Sequence, residues 1–173
     1  MFFFRQLVAE DVDPARDLVT RVYTETFGSD VVARWHTDIR HMESEYLGSD
    51  RQAGFVALDG ARVIGFVAIR HRSPQSGPLS GRYDRAATCE IGRLAVEPAF
   101  RRRGIALQLV ELARLWAGGR YRVISLHTDD TNHAALALWR QLCVEVLAHE
   151  GIVYFELPLD RPVTCIPAPE LRP

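Results

Sequence analysis

The chain has 173 residues, of which 47% are hydrophobic and 25% are charged, and its formal net charge is −1. These values predict one soluble globular domain and exclude disordered and fibrous proteins. The balanced charge argues against a nucleic-acid partner, and no apolar run is long enough to predict a membrane span. Three scattered cysteines and a start without a secretory signal predict a cytoplasmic protein.

Two residue counts are unusual. All 21 basic residues are arginine, and Asn132 is the only asparagine in the chain. The codon bias of a GC-rich genome explains both counts, yet they have chemical consequences. No lysine can act as a Schiff-base residue or general base, and the retained Asn132 is a candidate functional residue.

Periodicity and turn signals predict five elements in the first half of the chain: a strand at 2–8, helices at 13–28 and 31–48, and strands at 53–58 and 62–70. Asp13 followed by Pro14 is typical of a helix start, with the aspartate as N-cap. Asp59 and Gly60 between two β-rich runs predict a hairpin. The polar loop 71–87 is either a substrate-side loop or a disordered insert.

The second half of the chain predicts strands at 88–96, 121–127 and 152–157, a helix from about 104 to 117, and a second helix that follows residues 128–131 and ends at Leu142. The order β-α-α-β-β-β-α-β-α-β predicts a single α/β domain with a mixed sheet over residues 1–158. Residues 159–173 form a proline-rich tail that should be extended.

The Arg-rich turn at 101–106 has the features of an anion site. Gly104 lets the backbone approach a ligand closely, and Ala106 leaves the start of the following helix uncrowded. Free amides at a helix N-terminus attract phosphate groups, and arginines add charged hydrogen bonds. A solvated basic turn before an ordinary helix is the alternative.

Two motifs together resemble the GNAT superfamily of N-acyltransferases. Residues 96–106 read V-x-P-x-x-R-x-x-G-x-A after a strand, and residues 132–139 read N-x-x-A-x-x-L-W on a later helix. The resemblance covers residues 3 to 157. It implies an α/β fold with a mixed, mostly antiparallel central sheet, flanked by helices and splayed between the strands at 88–96 and 121–127.

The resemblance also implies that acetyl-CoA is bound as cosubstrate, without a metal. Backbone groups of Leu94 and Val96 would pair with the pantetheine arm, and the amides of residues 102–106 would hold the pyrophosphate. Asn132 would hydrogen-bond the arm, unless it only caps its helix. The implied cofactor-binding residues are Leu94, Ala95, Val96, Arg101, Arg102, Arg103, Gly104, Ile105, Ala106, Asn132 and Trp139.

Glu90 is the candidate general base, because some family members carry a glutamate at this distance before the Arg-rich turn. An amine is mostly protonated at neutral pH and must lose a proton before it can attack. The alternative is an exposed glutamate paired to Arg93 or Arg70. His127 is the rival base, and the backbone N–H of Leu94 would stabilise the oxyanion.

The chain departs from the family pattern at Trp139, where many members have a tyrosine that protonates the departing thiolate. An indole N–H is not a practical acid. Three explanations stay open: unassisted departure, another donor (Ser125, His127 or water), or a site that binds without turnover. Cys143 and Val144 replace the usual Gly-Phe, which leaves the final strand boundaries open, and Cys143 is interpreted as a small apolar residue.

The acceptor pocket is expected around Phe27, Trp35, His36, Tyr46, Tyr83 and Tyr154. Together with the acidic residues Glu25 and Asp84, the aromatic side chains suggest a small cationic amine with an apolar body. Helical spacing also favours Trp35 and Tyr46 as core residues.

The leading hypothesis is an acetyl-CoA-dependent N-acetyltransferase that acts directly on the primary amine of a small molecule. A protein N-terminal or lysine acetyltransferase is the second hypothesis. The third is a non-catalytic acyl-CoA-binding regulatory module, for which the motivation is Trp139. The oligomeric state is open, with a homodimer among the options.

Overall fold

The computed structural model describes residues 1–28, 37–74 and 77–160, in which seven strands form one sheet of order β1-β2-β3-β4-β5-β7-β6. The strands are β1 (Phe3–Gln6), β2 (Ala53–Asp59), β3 (Arg62–Arg70), β4 (Thr88–Val96), β5 (Val123–Asp129), β6 (Val144–His149) and β7 (Ile152–Leu157). The α-helices of the same residues are α1 (Val12–Phe27), α2 (Thr37–Arg40), α3 (Met42–Tyr46), α4 (Ile105–Gly118) and α5 (His133–Leu142). None of these helices has the length and apolar character needed to span a membrane.

Strands β4 and β5 are the parallel pair in an otherwise antiparallel sheet. They pair at only three positions, Thr88 with Val123, Cys89 with Ile124, and Glu90 with Ser125. Residues 91–96 of β4 then continue with β3 as their strand neighbour. The predicted α/β fold, a mostly antiparallel sheet that opens between these two strands, is confirmed.

A bulge interrupts the pairing of β4 with β3 just beyond this opening. Phe66 pairs with Ala95 and Ala68 with Gly92, so Val67 faces two residues of β4, Arg93 and Leu94. Arg93 adopts φ 59°, which is unusual for a residue with a side chain. The extra residue bends β4 and redirects the side chains next to the opening.

Each face of the sheet has its own hydrophobic core. One core includes α4, and the other includes α1, α2 and α3. Gly65 lets α4 lie close to β3, because a Cβ at this position would lie 3.0 Å from both Ile105 Cγ2 and Leu109 Cδ1.

The structure corrects several sequence-based boundaries. The sequence analysis missed β6, whose residues are mostly exposed and lack a clear apolar alternation. Helix α5 begins after Asn132 rather than after 128–131, since β5 runs on to Asp129. Helix α1 begins at Val12, so Asp13 lies in its first turn and is not the N-cap.

The predicted second helix is two short helices, α2 and α3, in its described part. Residues 29–36, which include the start of that predicted helix, lie outside the described residues, as does the tail from 161 onward. Loop 71–87 contains a 3-10 turn at Gly77–Leu79.

We expect Gly65→Ala to lower the free energy of unfolding by about 1–3 kcal/mol, because the added methyl forces α4 away from the sheet. Chemical denaturation measures this change. Gly119→Ala is the matched control, since its backbone has φ −85° and open space around the new methyl. Equal stability of the two variants would contradict the close approach of α4.

Candidate active site

A cavity of about 980 Å³ opens where β4 parts from β5, and α1, α4 and α5 complete its wall. The structure brings most of the predicted site residues to this wall: Phe27, Glu90, Leu94, Ala95, Val96, Arg101, Arg102, Gly104, Ile105, Ala106, His127, Asn132 and Trp139. One cavity therefore joins the Arg-rich turn to the candidate base.

Other predicted site residues lie elsewhere. The Arg103 guanidinium is 5.3 Å from the ring centroid of Phe100. The Tyr83 hydroxyl donates a hydrogen bond to Glu156 (2.8 Å), and the Tyr154 ring lies 6.0 Å from that of His127. Arg103, Tyr83 and Tyr154 are outside the cavity wall, and Trp35 falls outside the described residues.

The N-terminus of α4 provides donors for an anion at one end of the cavity. Gly104 is the N-cap with φ 79°, a backbone conformation that favours glycine. It supplies no side-chain cap, and the first amides of any helix have no acceptor in a preceding turn. The amides of Ile105, Ala106 and Leu107 therefore point toward the space beside Arg101 and Arg102, which fits a pyrophosphate.

Asn132 has a structural role and a free donor group. Its side-chain Oδ1 accepts a hydrogen bond from the Ala135 amide (3.2 Å) and so caps α5. The side-chain NH₂ group has no acceptor among the described residues, while Asn132 lines the cavity. Capping therefore uses only the oxygen of this amide and leaves its NH₂ group available to a ligand.

Glu90 and His127 meet at the base of the opening. Glu90 is 7% exposed and accepts a hydrogen bond from Nη2 of Arg70, its register partner on β3. His127 Nδ1 lies 4.0 Å from Glu90 Oε1, and about half of the His127 side chain is exposed. The alternative interpretation was an exposed Glu90 paired to Arg93 or Arg70. The pairing to Arg70 is confirmed, but the exposure is wrong because the carboxylate is buried.

Beneath this pair lies a buried charge network that the sequence analysis missed. Arg93 donates from Nε and Nη2 to both carboxylate oxygens of Asp38 (2.8 and 2.7 Å), and the Tyr46 hydroxyl donates to Asp38 (2.7 Å). Arg70 Nη1 lies 3.8 Å from Asp38, so Arg70 links Glu90 to the network. No local signal could have found it, because Asp38 and Arg93 are 55 residues apart in the chain.

The network changes the acid–base properties of its members. Burial raises the pKa of Asp38, but hydrogen bonding and the charges of Arg93 and Arg70 outweigh it and lower that pKa from 3.8 to about 2. Burial and the neighbouring Asp38 carboxylate raise the pKa of Tyr46. Asp38 is therefore ionised and Tyr46 neutral throughout the physiological range.

Cys143 follows α5 as its C-cap and is half-buried. Burial raises the pKa of its thiol to about 12, so the thiolate is scarce at neutral pH. A nucleophilic role is unfavourable, in line with its interpretation as a small apolar residue.

The parted sheet and the glycine turn at the start of α4 form the architecture of an acyl-CoA acyltransferase. The model of the Acetyltransferase (GNAT) family matches residues 14–143, and the chain belongs to this family. Membership makes the protein an acyltransferase and implies acetyl transfer from acetyl-CoA.

Solved structures with the same fold cover nearly the whole chain. An acetyltransferase of the GNAT family from Staphylococcus aureus Mu50 has a TM-score of 0.72 at 10% identity, covering 92% of this chain and 99% of that one. PaiA N-acetyltransferase from Thermoplasma acidophilum, in complex with coenzyme A, has 0.63 at 14%, covering 91% and 98%. The GNAT domain of S. lividans PAT has 0.67 at 17%, covering 89% and 88%. A search of the curated proteins finds no match.

We expect Asp38→Asn to lower the free energy of unfolding at pH 7 by at least roughly 2 kcal/mol, because it leaves Arg93 without its buried counter-charge. The pKa of the Asp38 carboxyl is lower in the folded protein than in the unfolded chain. The carboxylate therefore stabilises the fold fully above pH ~4 and loses this contribution as the pH falls toward 2.

Denaturation curves between pH 2 and pH 7 measure the difference in free energy of unfolding between the unmodified protein and the Asp38→Asn variant. This difference should become smaller as the pH falls toward 2. Asp17→Asn is the matched control, since Asp17 is exposed on α1 and has no ion pair with the described residues. A constant difference over the whole pH range would contradict the lowered pKa of Asp38.

Proposed function

We propose that the protein transfers the acetyl group of acetyl-CoA directly to the primary amine of a small molecule, with Glu90 as the general base. The observation that carries this proposal is the single cavity, which joins free helix amides at one end to a buried carboxylate at the other. Membership in the acetyltransferase family supports the reaction type.

The described residues suit acetyl-CoA as cosubstrate. The amides at the start of α4, with Arg101 and Arg102, would hold the pyrophosphate. Residues 91–96 of β4 leave the side toward β5 free, so their backbone can pair with an extended pantetheine arm. The coenzyme A complex of the related fold from Thermoplasma acidophilum supports this cosubstrate.

Glu90 can prepare the amine for attack. A protonated amine beside this carboxylate would give up a proton to it and become a nucleophile, directly or through water. Acetyl-CoA supplies an activated thioester, and the backbone N–H of Leu94 at the bulge would stabilise the oxyanion. One protonated amine and one acetyl-CoA then give one amide, one free thiol and one proton.

The departing thiolate needs no strong acid, because a thiol with a pKa near ~8.5 is a tolerable leaving group. Trp139 is buried in the cavity wall and its indole is only a hydrogen-bond donor. The Ser125 hydroxyl donates to the Cys89 carbonyl (3.2 Å) and is outside the cavity wall. Of the two side chains considered as donors, the geometry therefore favours His127, which lines the cavity.

Thiol release from acetyl-CoA with amino acids, polyamines, aminoglycosides and short peptides tests the proposal, with calorimetric binding of acetyl-CoA on the same sample. Release with a small amine is the expected result. Release with peptides alone would instead indicate a protein acetyltransferase. Binding without release from any acceptor would favour a regulatory module.

We expect Gly104→Val to weaken acetyl-CoA binding at least about tenfold, because a β-branched residue is strained at positive φ and displaces the amides of α4. Isothermal calorimetry measures the affinity. Gly60→Val is the control, since Gly60 also has positive φ but lies in the β2–β3 turn, outside the cavity wall. Unchanged binding by the Gly104 variant would refute the assignment of the phosphate-binding turn.

We expect Glu90→Gln to lower kcat by about 100-fold near neutral pH with little change in acetyl-CoA affinity, because the carboxylate no longer accepts the proton. The deficit should narrow at high pH, where more of the amine is already neutral. Thiol release as a function of pH, with thermal unfolding as a folding check, measures this effect.

His127→Ala is the comparison variant for this prediction, because His127 is the rival base 4.0 Å away. If Glu90→Gln keeps full activity at every pH while His127→Ala loses it, the base is His127.

A further inference from the structure

The end of the cavity beyond Glu90 is more basic than the sequence suggested. Glu25 and Asp84, the acidic residues expected to attract a cationic amine, are absent from the described cavity wall. Arg101, Arg102 and Asp129 line the cavity toward the phosphate-binding turn, and the other charged side chains of its wall are those of Arg70, Arg72, Glu90 and Arg93.

The strand register gives the order of these groups along the cavity. Val96, next to the phosphate-binding turn, pairs with Gly65, and Glu90 pairs with Arg70. Arg72 follows Arg70 in the chain and so lies beyond Glu90, on the side away from the pyrophosphate site. A ligand that reaches Arg72 has therefore passed the candidate base and belongs to the acceptor.

The charges around Glu90 do not balance. Arg93 is neutralised by Asp38 through two hydrogen bonds, and Arg70 is neutralised by Glu90. Arg72 is exposed in the cavity wall, and its guanidinium has no ion pair or side-chain hydrogen bond with the described residues. Three guanidinium groups face two carboxylates, which leaves one positive charge for a ligand.

An excess positive charge selects among amine acceptors. A polyamine would bring a second cation toward Arg72 and be repelled, whereas an anionic group would form a charge-assisted and geometrically matched pair with the guanidinium. The aromatic side chains of Tyr23 and Phe27 line the same cavity and provide an apolar surface for the body of the acceptor.

We propose that the acceptor is a small amino-acid-like molecule, in which a carboxylate accompanies the amine. Arg72 binds the carboxylate and determines specificity, while the amine lies at Glu90. This inference rests on the proposed acetyl transfer and names the substrate class of that same cavity.

Matched acceptors test the inference. Each set contains an amino acid, its carboxamide and its decarboxylated amine, for example phenylalanine, phenylalaninamide and phenethylamine, with a further set built on leucine. Thiol release from acetyl-CoA measures kcat/KM for each acceptor. In at least one set, kcat/KM for the amino acid should exceed the values for its carboxamide and its decarboxylated amine by about tenfold or more, as expected for a charged hydrogen-bonded pair.

Arg72→Gln tests the role of the guanidinium. It should raise the KM for the preferred amino acid by about 10- to 100-fold and leave that for acetyl-CoA unchanged. The KM for the decarboxylated amine should stay the same or fall. Arg122→Gln is the matched control, because Arg122 is an exposed arginine outside the cavity wall. Thermal unfolding verifies that both variants are folded.

The outcomes separate this inference from the proposed function. Thiol release that is equal or faster with the amines that lack the carboxylate, or with spermidine, overturns the inference and leaves acetyl transfer intact. An equal effect of Arg72→Gln on all three members of a set also overturns it. No release with any acceptor overturns the proposed function, and the inference with it.

Discussion

Strands β4 and β5 stay together for three residue pairs and then separate, and the site depends on this separation. Beyond Glu90 the backbone of β4 has strand β3 on one side and a cavity on the other. Backbone amides and carbonyls need partners, so this open edge offers hydrogen-bonding groups with which an extended ligand can pair. The bulge at Arg93 and Leu94 lies just beyond the last pair with β5, and a bulge bends the strand that carries it.

The separation also places charged side chains at a depth where they must be paired. Asp38 and Glu90 face Arg93 and Arg70, with Tyr46 adding a hydrogen bond. Burial of any one of these charges without its partner would cost several kcal/mol, so the network holds α2, β3 and β4 in a fixed relation. Glu90 thereby has a defined position at the base of the cavity. Arg72 lies outside this paired set and has no ion pair with the other residues that the structure describes.

Local patterns were sufficient where the physics is local. The glycine at 104 and the arginines before it predicted an anion site, because a helix start and a positive φ depend on a few neighbouring residues. The two motifs predicted the family, and through it the opening of the sheet. Strand β6 escaped prediction because its exposed residues lack alternation, and its stability comes from pairing with β7.

The order of most elements and the candidate anion site could thus be read from residue types and short spacings, and the family resemblance added Glu90 as the candidate base. The Asp38–Arg93 pair, the choice of Arg70 over Arg93 as the partner of Glu90, and the lack of an ion pair between Arg72 and the other described residues could not. Each depends on which side chains meet across distant segments, and charge pairing is decided by three-dimensional distance rather than by separation along the chain. The same reason explains why the cavity end proposed for the acceptor is basic, although the sequence predicted acidic residues there. Glu25 and Asp84 lie outside the described cavity wall, whereas Arg72 lies within it.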